Sequence, residues 1–211
     1  MGLFSNKVDR RILKPGDHIY TYRTLHSYSH HGIYVEENRV IHFTRTTDLP
    51  GESSIRCNIC DYHGSTQRGV VKTCIDCFLG GHELYRFEYN VSKAHFCTKN
   101  LGTCSVGSSD APNVVVQRAI EMLAGRGFSD YDLLNNNCES FAVYCTTGKA
   151  VSSQGLGFKH RAEIAAKMFT SKPLTLGNIA STFNELAFAH KIDAIEATNA
   201  SSSSEKYKDN K

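Results

Sequence analysis

The sequence predicts an α+β fold in which a small antiparallel sheet packs against helices. Three observations carry this reading. Residues 18–23, His-Ile-Tyr-Thr-Tyr-Arg, alternate like a half-buried strand, and the apolar runs at 32–35 and 39–43 flank Glu36-Glu37-Asn38, a hairpin composition. Val115, Ala119, Met122 and Leu123 recur at helical spacing across 114–124, and Gly125 follows as a stop signal. A second helix is expected from near Asn137 to about Thr146, with Asn135, Asn136 and Asn137 offering caps and Gly148 ending it.

Taken in order, a polar start leads to a turn at Pro15 and then to the three early strands. Residues 44–82 read as a cysteine-bearing loop, 83–89 alternate again as a strand, and 93–112 read as a connection rich in small and polar residues. Beyond 150, helices are expected at 159–169 and 176–189, and the serine run at 201–204 with its charged end reads as disordered. The expected organisation is one main domain over 1–150, a helical C-terminal extension over 151–196 and a disordered tail over 197–211. With 211 residues and 40% hydrophobic content, the chain can fill a proper core.

The formal charge of +3 comes from 24 basic and 21 acidic residues spread along the chain, which makes no basic stripe and argues against a nucleic-acid partner. No stretch resembles an export signal or a membrane span, so a cytoplasmic protein is expected, with membrane contact at most peripheral. Gly2 invites a myristoylation reading, but Asn6 stands where that signal usually has Ser or Thr.

Eight cysteines in a reducing compartment are thiols, thiolates or metal ligands. Cys57-Asn-Ile-Cys60 and Cys74-Ile-Asp-Cys77 are two CxxC pairs with thirteen residues between them, the spacing of a zinc ribbon or knuckle. A structural zinc on Cys57, Cys60, Cys74 and Cys77 would staple the long loop, with a redox dithiol or unliganded thiols as the alternatives. Cys97 and Cys104 read as ordinary thiols.

Cys138 stands at the start of the second helix, where unpaired N–H groups and the macrodipole favour a thiolate. Cys138, Ala142 and Cys145 share one helix face, so the thiol is expected to face the sheet that carries the histidines. In HHGIYVEENRVIHF, residues 30–43, His30 precedes one strand and His42 ends its hairpin partner, so two imidazoles can lie side by side as base and orienting group. His26 and His31 read as surface or satisfied histidines.

His30, the Gly-Ile-Tyr-Val run at 32–35, His42 and the Asn-Cys-Glu-x-Phe run at 137–141 together resemble the lecithin retinol acyltransferase family, most closely its plant members, the NC-domain proteins. The resemblance covers residues from about 13 to 150. It implies a circularly permuted papain-like thiol fold, distantly related to the NlpC-type cysteine peptidases, with Cys138 as nucleophile, His30 as base and His42 as third polar residue. The implied chemistry is attack on a phospholipid or related acyl ester, giving a thioester that passes its acyl group to an alcohol, an amine or water, with no cofactor for catalysis. Ser140 stands where animal relatives usually carry His, and their C-terminal membrane span is missing. The alternatives are a non-catalytic, zinc-stapled interaction module that keeps the fold, and a thiol amidase or peptidase.

Overall fold

The computed structural model describes residues 6–23, 28–44, 56–63, 69–92, 95–96, 99–100, 102–126, 128 and 137–149. The extension and tail expected after 150, the calls on Gly2 and His26, and Cys97 lie outside these residues. Strands β1 (His18–Arg23), β2 (Tyr28–Glu36), β3 (Arg39–Phe43), β4 (Val70–Cys74) and β5 (Tyr85–Arg86) form one antiparallel sheet in the order β4-β3-β2-β1-β5. Helices α1 (Ile75–Leu79), α2 (Pro112–Glu121) and α3 (Cys138–Thr147) complete the α+β architecture.

The hairpin expected at 32–43 is present. Glu37 and Asn38 take φ of 42° and 59°, the left-handed pair that a two-residue turn between right-twisted strands requires. β2 pairs with β3 so that Gly32 faces His42, and with β1 so that Thr21 faces His30 and Tyr20 faces His31.

Four boundaries differ from expectation. β2 starts at Tyr28, so His30 lies within the strand and not before it. The segment 44–82 is not wholly loop: its end forms β4, which adds a β-branched edge strand to β3, and α1, whose N-cap is Cys74. Within 83–89 the strand is confined to Tyr85–Arg86, pairing with Ile19 and Tyr20, and Glu88 makes an isolated bridge to Cys104. α2 starts at Pro112, whose fixed φ suits a first turn, and unwinds through a π-type turn, Met122–Arg126, at Gly125 with φ 102°.

Strand alternation sorts the side chains onto two faces. Ile33, Val35, Ile41 and Phe43 pack against Val115 and Ala119 of α2 and Phe141, Ala142 and Cys145 of α3. Ile19 and Val40 turn to the other face and pack under Ile75, Phe78 and Leu79 of α1. Each layer buries several large apolar side chains, worth about 1.5–3 kcal/mol apiece, so both helical layers are fixed by the sheet.

Candidate active site

α3 begins as the sequence suggests. The Asn137 side chain accepts from the N–H groups of Glu139 and Ser140, both at 3.0 Å, and the Ser140 hydroxyl accepts from the Asn137 N–H at 2.7 Å. This reciprocal capping box gives Ser140 a structural task and holds Cys138 in the first turn, where the helix dipole is most positive. Cys138 is buried, and its thiol donates to the carbonyl oxygen of Ser29 at 3.7 Å. Ser29 precedes His30 in β2, so the thiol is held at the strand residue next to His30.

His30 and His42 are brought together. His30 Nε2 and His42 Nδ1 are 2.9 Å apart with the rings edge to face, and His42 Nε2 lies 3.1 Å from the Thr73 hydroxyl. The hydrogen-bond network assigns the tautomers. Thr73 donates its only hydroxyl proton to the Cys74 carbonyl at 3.1 Å, so it accepts from His42 Nε2–H. His42 Nδ1 is then an acceptor and His30 Nε2–H its donor, which leaves the His30 Nδ1 lone pair to take a proton. Burial pushes His42 down to about 3, with the Arg23 guanidinium as a second cause, and burial followed by His42 and Arg23 holds His30 well below the ordinary imidazole range. A neutral His30 can act as a base.

The helix face that carries Cys138 turns to the sheet, and the thiol reaches β2 at Ser29. Ala142 and Cys145 do face the sheet, but onto the side carrying Ile33 and Phe43. His30 and His42 lie on the opposite side under Phe78 of α1, whose ring centroid is 5.3 Å from one imidazole and 5.4 Å from the other. The helix covers one face while its first residue reaches the strand end, a distinction between the two faces that helical period alone does not make.

Sequence reasoning missed several residues here. Arg23 donates to the carbonyls of Leu79 and Phe78 at 2.6 and 2.5 Å and is close enough to Cys138 for their charges to interact. Thr73 and Phe78 sit in the segment read as loop. A second imidazole pair occupies the α3 side: His31 Nδ1 lies 2.9 Å from His18 Nε2, His31 Nε2 lies 2.9 Å from the Ser29 hydroxyl, and His18 Nδ1 lies 2.8 Å from the Tyr89 hydroxyl. His31 is thus a satisfied, fully buried histidine, and burial pushes His18 down to about 3. No sequence pattern joins residues 18, 31 and 89; the β1–β2 register brings the first two together, and the segment after β5 brings Tyr89 to His18.

Cys57, Cys60, Cys74 and Cys77 converge, with all four sulfurs within 4.8 Å of one another. Cys57 and Cys74 Sγ are 3.9 Å apart and Cys60 and Cys77 Sγ 3.6 Å. Tetrahedral zinc with sulfurs at about 2.3 Å sets an S···S edge of about 3.8 Å, so the spacing suits a metal and far exceeds the roughly 2.05 Å of a disulfide. Backbone N–H groups of Ile59 and Cys77 donate to Cys57 Sγ and Cys74 Sγ at 3.4 and 3.5 Å. Such donors favour thiolate, and those from Ile59 and Cys60 lower Cys57 to about 6. Burial followed by the neighbouring sulfurs raises Cys77, a crowding that a cation relieves. The donor set fits a divalent metal. Cys104 packs with Phe96, as an ordinary buried thiol does.

Among the described residues, no helix is long and apolar enough to cross a membrane. The sequence profile of the family described as lecithin retinol acyltransferase matches residues 11–151. Protein LEAD-SENSITIVE 1 of Arabidopsis thaliana is 47% identical over 167 residues, which make up 72% of this chain and 64% of that protein. Human lecithin retinol acyltransferase is 28% identical over 167 residues, 73% of this chain and 66% of that protein. The chain therefore spans just under two thirds of the length of each of these relatives. With a profile match over most of the chain and a plant relative at that identity, the chain belongs to the lecithin retinol acyltransferase family.

Proposed function

We propose that this chain is a thiol-dependent acyltransferase or acyl hydrolase acting on phospholipid or related acyl esters. The single observation that carries the reading is the hydrogen-bonded chain Thr73–His42–His30, together with a Cys138 thiol held by the carbonyl of Ser29, the residue before His30. Family membership supports an acyltransferase-type activity, and the lipid acyl ester is the substrate class that membership suggests.

The steps follow from the chemistry of the groups. The Cys138 thiol passes its proton to His30 Nδ1 as Sγ attacks the ester carbonyl carbon. The S–C bond forms and the ester C–O bond breaks, with the His30 proton going to the leaving alkoxide. An alcohol, amine or water then gives its proton to His30 and attacks the thioester, and Cys138 leaves as thiolate. His42 holds the His30 tautomer and stabilises its charged form. Zinc on Cys57, Cys60, Cys74 and Cys77 would serve structure alone, stapling residues 57–60 to the β4–α1 junction. The protein works in the cytoplasm, meeting its lipid peripherally at a membrane surface.

Intact-mass detection tests this. Incubation with a phospholipid or an activated acyl ester should add one acyl mass at Cys138 and none in Cys138→Ala. No adduct across lipid, ester and amide probes would end the reading. An adduct from amides alone would make the protein a thiol amidase or peptidase.

The burial of Cys138, only 3% exposed, favours a second reading, a zinc-stapled interaction module that retains the fold without turnover. Full cellular function of Cys138→Ala beside failure of Cys57→Ser would select it.

A further inference from the structure

We propose that the four-cysteine metal site sets the geometry of the histidine relay, so that its bound cation is a structural effector of acyl transfer; this rests on the reading of His30 and His42 as the acyl-transfer relay. Three contacts make the link, and they come from both CxxC segments.

The first runs through Thr73. Its hydroxyl presents a lone pair to His42 because its proton goes to the carbonyl of Cys74, and the sulfur of that same residue is in the cluster. Fixing the Cys74 peptide therefore fixes the acceptor that decides both imidazole tautomers. The second runs through α1. Its N-cap is Cys74, its third residue is Cys77, and the next, Phe78, packs against both imidazoles. A five-residue helix is far too short to be stable by itself, so α1 stays where its anchors hold it. Those anchors are the apolar contacts of Ile75, Phe78 and Leu79, the Arg23 bonds at its C-terminal end and the cysteine pair at its start. The third runs through Tyr62, two residues after Cys60, whose ring centroid lies 6.3 Å from that of His42.

A bound metal joins these contacts into one body: it ties the segment bearing Tyr62 to the one bearing Thr73 and Phe78, with His42 between them. Without it, the segment carrying Cys57, Cys60 and Tyr62 loses its main tether to β4 and α1. The His18–His31 pair lies on the other face of the sheet, against Tyr20, Phe87 and Tyr89. It should be insensitive to the metal, which makes it an internal control.

The test compares the full chain loaded with zinc, loaded with cobalt and stripped by a chelator. Cobalt absorption in the tetrahedral-thiolate region should report loading at one ion per chain, lost in Cys60→Ser. Imidazole NMR should show the His30 and His42 resonances moving on stripping while those of His18 and His31 stay put. Acylation of Cys138 by a chromogenic acyl ester should slow by about ten- to a hundredfold, as for any sub-ångström misplacement of a catalytic group, and recover with added zinc. Unmoved His30 and His42 resonances and an unchanged acylation rate in a stripped but folded protein would overturn the proposal. If stripping unfolds the chain, zinc-loaded Thr73→Val carries the test: it should keep full metal content and show the same His42 shift, and unchanged His42 resonances would overturn the link. A zinc-loaded wild type that never acylates, yet whose His42 resonances follow the metal, would uphold the coupling and remove the acyl-transfer reading alone.

Discussion

Gly32 lies directly opposite His42 on the β2–β3 ladder, and there is no room for a side chain between them. A Cβ on Gly32 would stand 2.7 Å from Val40 Cγ1, 3.0 Å from His42 Cβ and 3.0 Å from the Phe78 ring. Gly32→Ala should therefore push Phe78 and His42 apart. We expect a stability loss of about 1–3 kcal/mol by denaturant titration, together with a fall in acylation rate. A variant that is destabilised but fully active would show that the relay tolerates displacement.

The two imidazole pairs should respond differently to substitution. His30→Gln removes the proposed base and should slow Cys138 acylation by about 10²–10⁴-fold, while His42→Gln, which spares it, should have a smaller effect. His31→Phe instead removes the hydrogen bonds that His31 makes to the Ser29 hydroxyl and to His18 Nε2, at a cost of about 1–3 kcal/mol of stability, and should leave the pH–rate profile in place. Parallel rate and thermal-shift measurements on the three variants check this. A shifted profile in His31→Phe would assign His31 a part in the relay.

Stability should fall as the solution is acidified. His18, His31 and His42 are buried and held neutral, with folded pKa values below the ordinary 6.5 and those of His18 and His42 near 3. Between about pH 6.5 and 3 the unfolded chain binds protons that the folded chain does not. The contribution of each group is thus whole above the unfolded value and is lost on acidification at about 1.4 kcal/mol per pH unit. Thermal unfolding at pH 7.5, 6 and 5 should show a declining Tm. A flat Tm over that range would mean that these imidazoles are not buried as neutral groups.

Arg23 clamps the last carbonyls of α1 and places a positive charge near Cys138. Arg23→Gln should lower the rate at which iodoacetamide alkylates Cys138, because a nearby cation favours thiolate. Arg23→Lys should restore much of the charge effect but not the fork that spans two carbonyls. Alkylation by mass spectrometry, with unfolding curves beside it, separates the two roles; equal alkylation in Arg23→Gln would exclude the electrostatic one.

Thr21 is fully buried opposite His30, and its hydroxyl is the buried side-chain atom without a hydrogen-bond partner among the described residues. Replacing it with the similarly sized valine removes an unsatisfied group. Thr21→Val should be neutral or more stable by about 1 kcal/mol, whereas the same exchange at Thr73 should be harmful. Destabilisation of Thr21→Val would mean that its hydroxyl has work to do beside His30.

Much of the site was legible because it rests on local rules. Period-two alternation and a turn of residues tolerant of positive φ gave the hairpin that holds His30 and His42, and Asn137 marked the start of α3. The CxxC spacing was enough to gather four sulfurs. What escaped depends on distant pairing. β4 is five residues long and owes its place to β3, and α1 owes its place to its anchors, so both looked like loop. The side of the sheet on which His30 lies follows from strand parity, and helix periodicity across the interface could not supply it.

The thiol that donates to the Ser29 carbonyl comes from 109 residues further along the chain. The hairpin with both histidines needs only neighbours and can form early, whereas Cys138 joins through one of the least local contacts in the molecule, a class of contact that closes slowly. Docking of the thiol on β2 is then a late event in folding. A chain released before residue 138 would carry the paired imidazoles without the thiol, and the burial of Cys138 becomes a clock for the completion of the fold.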